Sequence, residues 1–471
     1  MADLAELRSR LQGVGQEHLL TFADDLQPER LDHLVSQIES IALDQLPKLI
    51  EQYVKQGGAV EVPTDVDPAP YFPKDGTGWD PVGARAKGEE LLKAGKVACF
   101  TVAGGQGTRL GYDGPKGCYP TGCVTDKSLF QIFAEQVLAT GKRYGSTPVW
   151  SIMTSPLNHD ATVAFFKENR YFGLEADGVR FFQQGVMPAF EMGTGKILLA
   201  DKATLATAPD GHGGAVRALH ESGTLDFLAD RGVEHLSYWQ VDNPNVKCVD
   251  PVFLGLHAAG KGSSGEMSSK MLPKVDPREK VGVFCVSKGK TCVLEYSDLP
   301  DELAKAQADD GSLKFIAGSI AIHIIGVDFL KRVATEPRLE LPFHRANKKV
   351  PHVKIDSGER VEPTEPNGIK LERFIFDAIP LAESSIVYET DRVEEFAPVK
   401  NKEGVDSIIT SKQLQTERAA RWLEACGVEV PRDGSGKPEC VIEISPLTAL
   451  DPQQLKAKAP VTIERGQAVE I

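Results

Sequence analysis

The run Val97-Ala98-Cys99-Phe100-Thr101-Val102-Ala103 passes directly into Gly104-Gly105-Gln106-Gly107-Thr108-Arg109-Leu110-Gly111. The first half is short, apolar and rich in β-branched and aromatic side chains, the signature of a buried strand. The second half crowds glycines together, so its backbone can take positive φ and approach a ligand closely. A strand that empties into such a loop turns successive N–H groups towards one point, where phosphate oxygens can sit. Arg109 adds a fork of donors, Thr108 a hydroxyl, and Gly114-Pro115-Lys116-Gly117 a second cation on a tight turn. The spacing is neither G-x-G-x-x-G nor a Walker loop, since no Gly-Lys-Ser/Thr follows. A bare glycine turn between strand and helix is the plain alternative, and the two nearby cations argue against it.

The 471 residues suffice for two or three domains. With 53 basic against 67 acidic residues, the formal net charge is -14. That balance argues against a nucleic-acid or anionic-membrane partner while leaving room for a local basic pocket. No apolar run approaches the roughly 20 residues that span a bilayer. The N-terminus carries Asp3 and Glu6 rather than a basic and then apolar leader, so a cytoplasmic protein is expected. The eight cysteines are scattered. Cys118 with Cys123, and Cys285 with Cys292, lack zinc-site spacing and read as free thiols.

Up to about Gln56, apolar residues recur at three- and four-residue steps, as in amphipathic helices packed on another surface. Pro63 to Pro81 is proline-rich and reads as an extended arm, with Trp79 as a packing anchor. A helix from Pro81 to Ala94 leads into the opening strand. Helices are then expected over Ser128–Tyr144, Asn158–Glu168, 214–223 and 225–231, and strands over Pro148–Thr154, Val179–Gln183 and His235–Val241. Such alternation predicts an α/β fold with a mostly parallel sheet and helices on both faces. Ligands in such folds sit beyond the carboxyl ends of the strands. Ser411 to Ala425 reads as a helix, Pro431 to Pro438 as a polar turn and 441–444 as a strand, ahead of a proline-containing tail. The expected segments are an N-terminal helical part and arm over 1–95, a catalytic domain over 96–400 and a small C-terminal α+β domain over 401–471.

Several short motifs occur in one order. They are the glycine loop 103–111 with Pro115-Lys116-Gly117, Ile152-Met153-Thr154-Ser155, Phe181-Phe182-Gln183-Gln184-Gly185 and Ala208-Pro209-Asp210-Gly211. Val241-Asp242-Asn243, Glu295-Tyr296-Ser297 and Phe396-Ala397-Pro398-Val399-Lys400-Asn401 follow. From about residue 60 to 405 the series resembles the eukaryotic-type UDP-N-acetylhexosamine pyrophosphorylases. The resemblance implies a Rossmann-like nucleotidyltransferase core that couples UTP with a hexosamine 1-phosphate and releases pyrophosphate. A phosphate is already nucleophilic at neutral pH, so such catalysis consists of positioning two polyanions and neutralising the charge that moves to the leaving group.

In those roles Gly104, Gly105, Gln106, Gly107 and Thr108 with Arg109 would hold the β- and γ-phosphates, and Lys116 would reach the α-phosphate. Gln184 and the backbone at Gly211 would read the uracil, with Ala103 to Gln106 lining the same pocket. Asp242, where a strand ends, suits Mg²⁺, a hard cation that takes carboxylate and phosphate oxygens; a turn aspartate before Asn-Pro is the plainer alternative. Lys370 and Lys400 match family positions that reach the phosphates. Glu295 and Tyr296 match sugar-contacting positions. The sequence departs from the family at two asparagines that contact the N-acetylhexosamine. Pro-Asp-Gly-Asn-Gly-Gly is here Pro209-Asp210-Gly211-His212-Gly213-Gly214, and Ala-Gly-Asn is Ala317-Gly318-Ser319. A Gly-His-Gly resembles UDP-glucose and broad UDP-sugar pyrophosphorylases, which stand as the alternative. The flanking glycines suggest a ligand-facing imidazole at His212. A non-catalytic nucleotide-sugar binding protein is a more remote alternative, since Arg109, Lys116, Asp242 and Lys400 are all retained. The oligomeric state, monomer or homo-oligomer, is left open.

Overall fold

A computed structural model of the protein describes residues 4–57, 63, 65–459 and 462–471. Asp3, Thr64 and Pro460, which enter the readings of the N-terminus, the arm and the tail, lie outside the described residues. The chain forms two compact units. One joins Met1–Val62, Gly185–Ala215 and Leu341–Ile375; the other joins Pro63–Gln184, Val216–Glu340 and Phe376–Ile471. These limits run differently from the expected segments 1–95, 96–400 and 401–471, because stretches remote in sequence share one core.

The larger unit is built on a ten-stranded sheet. Its strands include β1 (Val97–Val102), β2 (Trp150–Thr154), β3 (Val179–Gln183), β4 (His235–Gln240), β5 (Met267–Pro273), β6 (Val283–Ser287), β7 (Lys290–Leu294), β8 (Ala317–Gly326) and β9 (Val387–Glu389). Four adjacent strands, in the order β4-β1-β2-β3, run parallel. Beyond β4 the pairing is mostly antiparallel: β8 pairs with β4, β5 and β6, and β6 forms a hairpin with β7, while β9 joins β5 in parallel. The parallel half is the part that alternation with helices announces. Register aligns Gln240 with Val102, Val102 with Met153, and Thr154 with Gln183, so the carboxyl ends of four strands lie level.

Helix α1 (Pro81–Lys93) starts where the Asp80 carboxylate accepts the N–H groups of Val82 and Gly83, both at 3.0 Å. Helix α2 (Leu129–Tyr144) is capped by Ser128 and ends on the left-handed Gly145. Its face of Phe130 and Phe133 packs on Trp150 and Trp239, whose rings stack with centroids 6.5 Å apart. Burying several such large rings is the main source of this core's stability. Trp79 anchors the arm, as its position implies: the indole donates to the Pro73 carbonyl at 2.8 Å and meets Phe72 and Tyr388 edge-on.

The C-terminal helix α3 (Ile408–Ala425) opens on a capping box of Ser407 and Thr410. Trp422 and Leu423 pack with Ile442, Leu455 and Ile463 in a separate small core. Its strand Val441–Glu443 pairs in parallel with Ala468–Glu470. The Glu443 carboxylate accepts the N–H groups of Val124 and Thr125 at 2.7 and 2.9 Å, which ties this module to the segment just after Lys116.

In the smaller unit, Leu7, Leu11, Leu34 and Ile38 of the N-terminal helices bury against Phe190, Ile197, Leu199, Ile369 and Leu371. His18, pushed down from its ordinary range by burial, bonds the Ile197 carbonyl at 2.8 Å. The three-stranded sheet of this unit is His344–Lys348, Gly368–Glu372 and Phe190–Glu191. All eight cysteines are free, and Cys285 and Cys292 face one another across the β6–β7 hairpin with sulfurs 3.4 Å apart. Among the described residues no helix is long and apolar enough to cross a membrane.

Candidate active site

The glycine loop leaves β1 at Ala103 and folds back on itself. Gly107 N–H donates to the Gly114 carbonyl at 2.9 Å, and Lys116 N–H to the Gly105 carbonyl at 3.1 Å. The amides of Gly104, Gly105 and Gln106 have no hydrogen-bond partner among the described residues. Unpaired amides in a tight loop are what an anion needs. Ala103 is buried, while Thr108 and Arg109 are exposed. Arg109 forms no ion pair among the described residues.

Asn158 fixes this loop from beneath. Its side-chain amide donates to the carbonyls of Ala103 at 2.9 Å and Gly105 at 3.2 Å, and its carbonyl oxygen accepts from Ser155 N–H at 2.8 Å. With the loop's carbonyls held down, its amides are free to face the other way. From sequence Asn158 reads as the N-cap of the helix His159–Glu168, yet it makes no side-chain cap bond. Its position four residues past the end of β2, beside Thr154-Ser155, is the available signal. Gln184 follows β3 directly and is 93 % buried. Its amide lies 2.9–3.0 Å from where a Cβ on Gly104 would stand, so only glycine leaves this side chain its place.

Asp242 lies two residues beyond the end of β4, and its carbonyl accepts from Val399 N–H at 2.8 Å. Its carboxylate is 4.0 Å from the Lys116 ammonium, and both side chains are mostly shielded from solvent, at 14 % and 10 % exposure. The structure therefore gathers the glycine loop, Lys116, Gln184 and Asp242 at the carboxyl ends of four parallel strands. Lys400 follows Val399, the residue tied to Asp242, and its ammonium is 3.9 Å from Asp406. A second cluster forms on the antiparallel half. Ser319 N–H on β8 donates to the Gly282 carbonyl at 2.7 Å, and the Glu295 carboxylate reaches within 3.1 Å of the Cβ position of that same Gly282. Tyr296 is exposed beside it.

Gly211, His212 and Lys370 belong to the smaller unit. His212 is half-buried. Its flanking glycines let the chain press onto the backbone of 372–374, where a Cβ on Gly211 would stand 2.4 Å from the Arg373 carbonyl oxygen. The imidazole stacks on Phe374 with centroids 5.2 Å apart, and its Nδ1 accepts from Ile375 N–H at 3.1 Å. Burial, with a smaller push from His344, lowers its pKa to about 4. His212 is thus a neutral imidazole whose proton sits on Nε2. Lys370, on the strand Gly368–Glu372, is half-buried.

A magnesium ion needs few protein ligands. Among the described residues no three His, Cys, Asp or Glu side chains converge as a metal cage. Mg²⁺ in phosphoryl-transfer sites is held by one or two carboxylates together with substrate phosphates and water. Asp242, facing the same strand ends as the loop, fits that donor set.

Residues 79–421 match the family described as UTP–glucose-1-phosphate uridylyltransferase. UDP-N-acetylglucosamine diphosphorylase 2 of Arabidopsis thaliana is 36 % identical, with 96 % of this chain and 91 % of the relative covered. The UDP-N-acetylglucosamine pyrophosphorylase of Saccharomyces cerevisiae is 37 % identical over 89 % of this chain and 91 % of its own. Among solved structures, the uridine diphosphate N-acetylglucosamine pyrophosphorylase of Trypanosoma brucei superposes with a TM-score of 0.83 at 26 % identity, over 98 % of each chain. The chain belongs to the UTP–glucose-1-phosphate uridylyltransferase family and is a nucleotidyltransferase acting on UTP and a sugar 1-phosphate.

Proposed function

We propose that the protein transfers uridylyl from UTP to N-acetylglucosamine 1-phosphate, in the cytoplasm. The observation that carries the sugar assignment is the full-length similarity to relatives named for UDP-N-acetylglucosamine. The retained Glu295-Tyr296-Ser297 supports it. In this reading the sugar phosphate attacks the α-phosphorus in line and pyrophosphate leaves. The amides of Gly104 to Gln106, with Arg109, hold the terminal phosphates. Lys116 neutralises charge at the α-phosphate, and Lys400 closes on the phosphates from the segment that Val399 bonds to Asp242. Gln184 reads the uracil. Asp242 would hold Mg²⁺, which supplies further charge neutralisation on phosphate oxygens.

His212 and Ser319 favour a second reading, relaxed sugar selectivity. Each buried amide group of an acetamido substituent that goes unsatisfied costs about 1–3 kcal/mol. An asparagine offers donor and acceptor together; His212 already commits its Nδ1 to Ile375 N–H, and serine is short. Pyrophosphate release is to be measured with the 1-phosphates of glucose, galactose, N-acetylglucosamine and N-acetylgalactosamine. N-acetylglucosamine 1-phosphate is expected to give the highest kcat/KM, with glucose 1-phosphate a measurable competitor. His212→Asn with Ser319→Asn should raise the ratio between these two by roughly tenfold, the worth of about 1.4 kcal/mol. A shift below about threefold means that these positions do not set the sugar. Higher kcat/KM for glucose 1-phosphate in the wild type overturns the main assignment.

Asp242→Asn preserves shape and removes the charge. Turnover should fall, and the Mg²⁺ concentration for half-maximal rate should rise. Full wild-type activity in excess chelator would make Asp242 purely structural.

A further inference from the structure

We propose that Asp406 is the positioning residue for Lys400, an inference that rests on the reading of Lys400 as a phosphate contact. Lysine carries its charge on a flexible four-carbon stem, so a lysine that must meet a phosphate at one point needs something to hold it. Here two groups do so. The Lys400 ammonium lies 3.9 Å from the Asp406 carboxylate and 5.6 Å from the centre of the Phe396 ring.

The loop between them is closed around this pair. The Asp406 carbonyl accepts from both Lys400 N–H at 2.7 Å and Asn401 N–H at 3.1 Å. The Asn401 side chain donates to the Val405 carbonyl at 2.8 Å. At one end Val399 is bonded to Asp242, and at the other Ser407 caps helix α3. Lys402, inside the loop, brings its stem to 3.9 Å from the Cβ position of Gly111 in the glycine loop.

Asp406 itself sits at φ +56°, in the left-handed region that most side chains avoid and that aspartate and asparagine enter more often than others. Gly404, two residues earlier, has φ +78° and takes its turn without penalty. A glycine at 406 would make the same turn more easily, yet the chain carries a carboxylate there, directed at the lysine. Strain of this kind, held by a well-bonded loop, points to a task for the side chain. The task assigned here is to keep the Lys400 ammonium at one place, so that it moves onto a phosphate oxygen without searching its rotamers.

The test uses the full-length enzyme with Asp406→Asn, Asp406→Gly, Lys400→Ala and the double variant Asp406→Asn/Lys400→Ala. Asparagine tolerates the left-handed region and keeps the size, so the first variant removes charge alone. Its kcat should fall by about ten- to a hundredfold while both KM values stay within about twofold, the pattern of a misplaced transition-state contact. Asp406→Gly should show the same loss of kcat and melt no lower than wild type, which separates positioning from folding. The double variant should be no slower than Lys400→Ala, because without the lysine there is nothing to position. Wild-type kcat in Asp406→Asn or Asp406→Gly, or an equal further loss on the Lys400→Ala background, overturns the proposal. Near wild-type turnover in Lys400→Ala instead overturns the reading of Lys400.

Discussion

Lys116→Met is expected to lower kcat/KM by about a hundred- to a thousandfold, the roughly 2.7–4 kcal/mol that a single preorganised charge-stabilising donor contributes to a transition state. The ammonium is nine-tenths shielded from solvent and stands 4.0 Å from Asp242. In that setting a cation interacts far more strongly with a phosphoryl group than it would in water. Methionine reproduces most of the stem, and the bond from residue 116 N–H to the Gly105 carbonyl is independent of the side chain. The fold should therefore survive, with a melting temperature close to wild type. Steady-state pyrophosphate release together with a thermal melt checks both halves. Turnover within about threefold of wild type would remove Lys116 from the chemistry.

That assignment was open to sequence reasoning because all its parts are local. A strand, a glycine loop and two cations occupy Val97 to Lys116, and the loop's place at a strand's carboxyl end follows from the alternation of elements. Asp242 was legible for the same reason, at the end of another apolar run. What stayed hidden depends on partners remote in sequence. Asn158 looks like a helix cap until its bonds to Ala103 and Gly105 are seen. His212 looks bare between glycines until residues 372–375 are laid against it. The antiparallel half of the sheet and the three-part smaller unit escape for a related reason. Neither β8 beside β4, nor 1–62 beside 185–215 and 341–375, is encoded in any short period. The role of Asp406 needs a backbone angle that composition does not reveal.

The charged cluster around Lys270 is another arrangement of this hidden kind, and the largest stability effect is expected from it. Lys270 on β5 is fully buried, with its ammonium 2.6 Å from both Asp250 and Glu395. Lys247 reaches Glu395 at 3.2 Å, so two cations balance two carboxylates. The Asp250 carboxylate also caps the helix Pro251–Ala259 by accepting from Val252 N–H at 3.0 Å. Glu395 heads the strap to Lys400, and its carbonyl accepts from the side chain of Asn243, next to Asp242. Lys270→Met should destabilise the fold by about 3–5 kcal/mol, because it leaves a buried carboxylate without its cation. Burial alone would push the Asp250 carboxyl up; Lys270, and then Lys247, outweigh it and hold the group well below the usual range. A carboxyl depressed in the folded state contributes stability above its unfolded pKa of about 4, and that contribution is lost as pH falls through the folded value. With the lysine gone, burial prevails and the sign reverses. The deficit of Lys270→Met should then be greatest at neutral pH and shrink towards pH ~4, as the orphaned carboxyl takes up a proton. Adding Glu395→Gln returns the cluster to one cation and one carboxylate, and should recover part of the loss. Urea unfolding at neutral and mildly acidic pH measures each step. A single variant within about 1 kcal/mol of wild type at neutral pH, or a deficit that grows on acidification, would mean that the cluster does not work as a balanced buried pair of pairs.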